Sequence, residues 1–327
     1  MRRRSLLLVA AVSLVGAAVQ VRAQPGRRPY RVGFLGALTE AAVAERVKSL
    51  RDGLRDLGYV EGRDLVLEFR WANGRMDLLP ALATELVRLP VDVIVTGGPA
   101  ATRPARAATA SIPIVMTMDN DPVAAGHAAS LARPGGNVTG VSRMAPVLAG
   151  KQLEVLKEIV PSVARVLVLG SNSEPGNAEQ LEGARGAAGT LGVALDYHDV
   201  SSAQDIETGF RVAVERRTGG ALVLTSPRLV TERARIVALA RRHRLPTVFA
   251  DREAAREGAL ATYGVNNAEL FRRAAGYVDR ILRGASPAEM AIEQPTKFEL
   301  LVNARAADEL GIALPQSLLL RADEVIR

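Results

Sequence analysis

The sequence contains no cysteine. That absence removes disulfide staples, thiol catalysis, cysteine-based zinc sites and the lipid-modified cysteine that would tether an exported protein. Aromatic residues make up only 4% of a chain that is 48% hydrophobic, so its cores must be built from Leu, Val, Ile and Ala. Only three histidines occur, His127, His198 and His243, and none stands in a His-Glu-x-x-His pattern. A metal site is therefore not expected, and His243, in Arg241-Arg242-His243-Arg244 at a helix end, is explained by the helix dipole. Nucleotide signatures are also missing. Gly33-Phe34-Leu35-Gly36 does not supply Gly-x-Gly-x-x-Gly, Gly97-Gly98 lacks the lysine of a phosphate loop, and no Gly-x-Ser-x-Gly elbow occurs. No clustered acid and base stands out, so neither an enzyme nor a cofactor is expected.

Acidic residues are absent before Gln24, and what stands there instead is informative. Arg2, Arg3 and Arg4 precede an uncharged run from Ser5 to Val21, followed by Val21-Arg22-Ala23. That is the order of a secretory signal peptide cleaved near Ala23. Its small residues, Ala10, Ala11, Gly16, Ala17 and Ala18, weaken the alternative of a membrane anchor, which needs about 20 apolar residues. Arg3-Arg4-Ser5-Leu6-Leu7 leaves the general and twin-arginine export routes both open. Arg2, Arg3, Arg4 and Arg22 supply four of the formal +7 charge, which leaves +3 for the rest. The basic balance is thus partly an export signal, and no nucleic-acid partner is expected. The protein is expected in the periplasm.

The 304 residues from Gln24 onward suffice for two domains. Short apolar strands alternate with amphipathic helices throughout. The first series has strands at Arg31–Leu35, Leu65–Phe69, Val91–Thr96 and Ile114–Thr117; Val43, Val47, Leu50, Leu54 and Leu57 form the stripe of the first helix. The second has strands at Arg165–Leu169, Ala194–Tyr197, Ala221–Thr225, Thr247–Ala250 and Leu260–Tyr263, with a Ser202-x-x-Asp205 capping box between them. Buried strands separated by helices imply an α/β protein with parallel sheets covered on both faces, here two doubly wound lobes.

Open sheets of this kind place ligands outside the carboxyl ends of their strands. The loops to search are Gly36–Thr39, Thr96–Ala100 and Asp119–Pro122 in the first series, and Gly170–Ser173, Thr225–Pro227 and Ala250–Arg252 in the second. Most carry a hydroxyl, an amide or a glycine just before a helix, where backbone N–H groups can meet an anion. The same residues are also ordinary caps and turns, and only convergence on one cleft separates the two readings.

The stretches Gly58-Tyr59-Val60-Glu61-Gly62, Arg70-Trp71-Ala72 with Leu79-Pro80-Ala81-Leu82-Ala83, Asp121 to Gly126, Arg133 to Ser142, Gln294 to Asn303 and Arg321 to Ile326 resemble one family. It is the bacterial ABC transporter substrate-binding proteins of the type I periplasmic-binding fold, in the group with tryptophan- and tyrosine-binding receptors. Two loops depart from it: Gly36-Ala37-Leu38-Thr39 stands where the family more often has Asn-Ser, and Gly170-Ser171-Asn172 replaces a commoner Asn-Pro turn. Both loops would face the cleft, so they bear directly on whether an aromatic amino-acid ligand transfers.

The resemblance implies a multi-strand hinge, with crossings at Asn137–Ser142, Thr262–Gly264 and Gln294–Phe298. Residues 30–140 and 265–293 would form lobe one; residues 141–264 and 294–327 would form lobe two. It also implies capture of a small polar metabolite, an amino acid among the candidates, and delivery to ABC permease subunits in the inner membrane. The alternative is a ligand-sensing module of a signalling receptor. Site residues expected on this reading are Thr39, Thr96, Gly98 and Asp121 from lobe one, and Asn172, Ser226 and Asp251 from lobe two. Asp121 or Asp251 would receive an ammonium group, and Thr96, Gly98 and Ser226 would donate to a carboxylate; capping remains open for Asp121.

Overall fold

The computed structural model describes residues 28–327; the export-signal reading of residues 1–23 falls outside them. The chain opens with β1 (Tyr30–Gly36), α1 (Ala44–Asp56), β2 (Leu65–Trp71), α2 (Leu79–Arg88), β3 (Val93–Thr96), α3 (Pro99–Ala108), β4 (Ile114–Asp119) and β5 (Val138–Ser142). It continues through α4 (Ala145–Ile159), β6 (Arg165–Gly170), α5 (Asn177–Leu191), β7 (Ala194–Asp199), α6 (Ala203–Glu215), β8 (Gly220–Val223), α7 (Pro227–Thr231) and α8 (Arg233–Arg242). The last elements are β9 (Thr247–Phe249), α9 (Glu253–Glu257), β10 (Ala261–Gly264), α10 (Asn267–Leu282), β11 (Glu299–Asn303), α11 (Ala304–Leu310), α12 (Gln316–Arg321) and β12 (Glu324–Ile326).

Two sheets result, one in each lobe. The first has the order β2-β1-β3-β4-β5 and is parallel throughout, with Val32 opposite Val93 and Ile94 opposite Ile114. The second has the order β12-β11-β10-β9-β8-β6-β7. Continuous apolar runs suit the central strands β3, β4 and β8, which are buried throughout under helices on both faces, while the edge strands β2, β7 and β12 are only part-buried. In the first lobe, cores lie on both faces, one around Phe34, Leu50 and Phe271 and another around Leu35, Leu86 and Ile114. The second lobe has a single large core that includes Leu153, Val168, Phe210, Leu222 and Val302.

Local chemistry explains the helix starts. Ser202 Oγ accepts the Asp205 amide at 3.3 Å and the Asp205 carboxylate accepts the Ser202 amide at 2.8 Å, so the capping box forms in both halves. Four hydrogen bonds from Ser201 and Ser202, side chain and backbone, pull the Asp205 carboxyl down to about 2. Helix α3 begins with Pro99 after Gly98, whose φ of 115° only glycine adopts readily.

Two expectations about strands change. Residues Val138–Ser142, read as a hinge crossing, form β5 at the edge of the first sheet, where Gly140 has φ 128° and a Cβ would lie 2.2 Å from the Met116 carbonyl oxygen. The second sheet is not wholly parallel, since β10 and β11 pair antiparallel. The chain leaves β10 for the first lobe, where α10 packs Leu270, Phe271 and Ala274 into the core. It then passes Glu293, bridged to Val141, before entering β11. A strand that departs toward the other lobe and one that returns from it run in opposite directions, without the crossover helix that parallel pairing needs.

Candidate functional site

Strand order places the site. In the first sheet the order reverses between β1 and β3, and in the second between β6 and β8. Loops after such strands diverge and leave a crevice between them. The two crevices face each other: Ala37, Leu38, Gly97, Gly98, Pro99, Ala100, Met118 and Asn120 line one wall of a cleft, and Pro175, Thr225, Ser226, Pro227, Val230 and Asp251 line the other. The cavity between them is small, ≈ 40 Å³. The walls thus stand close, and Asn120 Nδ2 donates across them to the Pro175 carbonyl at 3.4 Å.

Two arginines complete the lining, Arg46 from α1 and Arg143 just past β5. Both are buried, at 8% and 2% exposure, and both approach Asp251, itself 5% exposed. Arg46 Nη2 lies 3.7 Å and Arg143 Nη2 3.8 Å from the same oxygen, Asp251 Oδ1, which also accepts 2.7 Å from Asn267 Nδ2. Burial alone would raise the Asp251 carboxyl. Arg143, Arg46, the Asn267 hydrogen bond and Arg233 together outweigh it and hold the group below the usual carboxylate range. Burial pulls Arg143 down, with Asp251 opposing; a guanidinium nonetheless keeps its proton in proteins.

The charged groups that line the cleft are therefore two cations and one anion, an excess of one positive charge among the lining residues, with Glu253 and Arg233 also near enough to act on them. Arg143 Nε has no acceptor among the described residues. A buried N–H without a partner is costly, and an anion placed there would satisfy it and balance the excess.

The seven expected site residues divide. Gly98, Ser226 and Asp251 line the cleft, with Gly98 and Ser226 on opposite walls. Thr39 is exposed and its Oγ1 accepts the Ala42 amide at 3.2 Å, as a cap does. Thr96 is fully buried, paired with Thr102 Oγ1 at 2.9 Å. Asp121 Oδ1 accepts the amides of Val123 and Ala124 at 3.1 and 3.0 Å and holds a turn. Asn172 Oδ1 accepts the Tyr197 hydroxyl at 2.9 Å, away from the cleft. None of these four lines it. Asp251 carries two guanidiniums already, so an incoming ammonium would share it with them.

Arg46, Arg143 and Pro175 escaped the sequence reading, and Asn120 lay in a loop marked for search without being singled out as a site residue. Arg46 could have been found, because it falls on the buried stripe of α1 between Val43 and Val47, where a charge needs a reason. Arg143 directly follows Ser142 at the carboxyl end of a strand, which the strand-end rule also covers. Nothing local marks Pro175.

Comparison with known proteins agrees with this architecture. A family model described as ABC transporter substrate binding protein matches residues 31–326. The Tyrosine-binding protein of Clostridioides difficile is 25% identical over 280 residues, covering 85% of this chain and 79% of that protein. A conserved domain protein from Vibrio cholerae superimposes with a TM-score of 0.86 at 26% identity, over 91% of this chain and all of the other. An ABC domain from Streptococcus pneumoniae, solved in complex with L-Trp, gives the same TM-score at 25% identity, again over 91% of this chain and 100% of its own.

Proposed function

Because the chain belongs to the family of ABC transporter substrate-binding proteins, we propose that it captures a small carboxylate of the amino-acid class between its lobes, with the carboxylate on Arg143 and Arg46. The observation that carries this reading is the excess buried cation of the cleft, together with the unpartnered Arg143 Nε. Ser226 Oγ and the backbone at Gly98 supply further polar contacts on opposite walls, and the Asp251 carboxylate offers a place for an α-ammonium.

On this reading no bond is made or broken. The first sheet, through the end of β5, acts with residues 265–293 as lobe one, and the second sheet with its helices acts as lobe two; closure about the segments between them buries the ligand. A ligand favours the closed form only by its difference in affinity for the two states, so it must touch both lobes. The closed form is then presented to permease subunits in the inner membrane, and the protein works in the periplasm after removal of residues 1–23. Relatives described as binding tyrosine and L-Trp support the amino-acid class. The Met118, Leu38 and Val230 lining offers no aromatic ring to stack on, so which amino acid binds is decided by other contacts.

Isothermal calorimetry of the protein against free amino acids and simple dicarboxylates tests this. Binding of at least one at one ligand per chain, abolished when the carboxylate is replaced by a carboxamide, is the expected result. Tight binding of a ligand with no anionic group would overturn it.

A further inference from the structure

The cleft does not end at Ala100 and Pro175. Both residues also border a second groove, of ≈ 530 Å³. One wall comes from lobe one and is largely apolar, with Met76, Leu79 and Pro80 beside Pro104 of α3, though Thr84 and Arg103 also line it. The other is the loop between β6 and α5 in lobe two, and it brings Glu174 to this apolar wall.

Glu174 is 6% exposed, and its Oε2 has no hydrogen-bond partner among the described residues. Burial pushes its carboxyl above the usual range; Arg228 opposes this, but no ion pair joins the two among the described residues. The backbone leaves little freedom, since the Glu174 amide donates to the Ser171 carbonyl at 3.2 Å and its carbonyl accepts from Asn177 at 3.3 Å. An acid in such a place is expensive to bury unless something donates to it. The groove wall facing it belongs to the other lobe, so the cost falls on closure itself.

We propose that this groove is the second compartment of the ligand site and that Glu174 is its specificity-determining residue. The ligand is then an elongated carboxylate whose far end carries a hydrogen-bond donor, such as an ammonium, a hydroxyl or an indole N–H. An apolar end would fill the groove and leave Glu174 unsatisfied. An anionic end would be repelled by it, while Arg103, also on this groove, is exposed and keeps its charge in water. A donor from the ligand removes the cost of closing, so closure with no ligand or with the wrong one is disfavoured. This inference rests on the carboxylate reading of the first compartment.

The test uses two pairs of probes that share a carboxylate and differ at the far end: L-tyrosine against L-phenylalanine, and L-lysine against L-norleucine. In the unaltered protein, calorimetry should give the donor-bearing member of at least one pair a roughly ten- to hundredfold lower Kd, the range for a hydrogen bond to a charged group. Glu174→Leu should level that pair to within about twofold, by strengthening the apolar member as well as weakening the other. Glu174→Gln, which keeps the shape, should reduce the lysine preference more than the tyrosine preference, and it decides the matter if the leucine variant does not fold. Equal binding within both pairs, or a preference that survives both substitutions, overturns the role of Glu174 while leaving the carboxylate reading intact. Failure of all four probes to bind folded protein overturns this inference, while the carboxylate reading stands or falls with the wider screen of amino acids and dicarboxylates.

Discussion

The two lobes share a topology and divide the chemistry of the cleft between them. Lobe one keeps its aromatic rings off the cleft lining: Phe34 lies 5.0 Å from Trp71 and 5.6 Å from Phe69, with Phe271 at 6.1 Å. To the cleft it presents a cation on a rigid helix, Arg46, and a glycine-led helix start. Lobe two presents hydroxyls and acids from loops, with Asp251 in the main cleft and Glu174 in the adjoining groove. Neither wall is electrically complete alone. Each buries a charge whose partner lies across the cleft, and Arg143, just past β5, supplies the excess.

Such a division makes closure sensitive to single charges. A buried ion pair adds little net stability compared with apolar packing, but removing one partner leaves the other charge buried and uncompensated, at about 3–5 kcal/mol. The contrast between the walls can therefore be broken most strongly at Asp251. Asp251→Ala leaves Arg46 and Arg143 facing each other without a counter-ion, so the lobes should part. We expect a larger radius of gyration by small-angle X-ray scattering and a Kd raised roughly 100-fold. Unchanged scattering and affinity would show that the pairs across the cleft do not govern closure. Acid should act in the same direction. The Asp251 carboxyl is held lower folded than unfolded, so its contribution is fully present above the unfolded value of about 4 and is lost as pH falls through the lower folded one. The closed form should persist at about pH 5 and open only below about pH 4.

A middle-sized effect is expected where the walls touch without charge. Gly176 has φ 82°, and a Cβ there would lie 2.2 Å from Asn120 Nδ2 on the other lobe. Gly176→Ala should cost about 1 kcal/mol of stability through its backbone, and should also raise the ligand Kd about tenfold by propping the cleft open. Adding Asn120→Gly removes the obstructing amide, and most of the affinity should return while the stability loss remains. Affinity that stays low in the double variant would place the defect in the loop itself.

The smallest effect should come from residues of similar type that face elsewhere. Thr39→Ala removes a cap on the turn after β1 and should lower stability by about 0.5–1 kcal/mol in urea unfolding, with ligand affinity unchanged within about twofold. A clear loss of affinity would bring Thr39 back to the cleft and shift the boundary between the walls.

The fold was legible because its signals are local. Apolar runs such as Ile114–Met116 and stripes such as Val43, Val47, Leu50 and Leu54 state their own period, and the Ser202-Asp205 box states where α6 begins. The ends of elements were less legible: Val91 lies before β3, and the strand expected to reach Thr225 stops at Val223. Within the candidate site, loops could be found but side chains could not. Thr39, Asp121 and Asn172 have the composition of ligand contacts because capping and turn-holding use the same oxygen atoms for the same purpose, accepting hydrogen bonds.

By itself, the sequence determined the alternation of strand and helix, the division into two α/β lobes and the strand ends at which to look, since each depends on residues within a few positions of one another. Tertiary structure alone decided that β11 returns antiparallel, that Arg46, Arg143 and Asp251 share one oxygen atom, and that Glu174 is buried against lobe one. These juxtapose residues tens to more than two hundred positions apart. A charge carries no mark of its future partner along the chain. Only when two lobes close and exclude water does its burial, and so its chemistry, come to depend on what stands opposite.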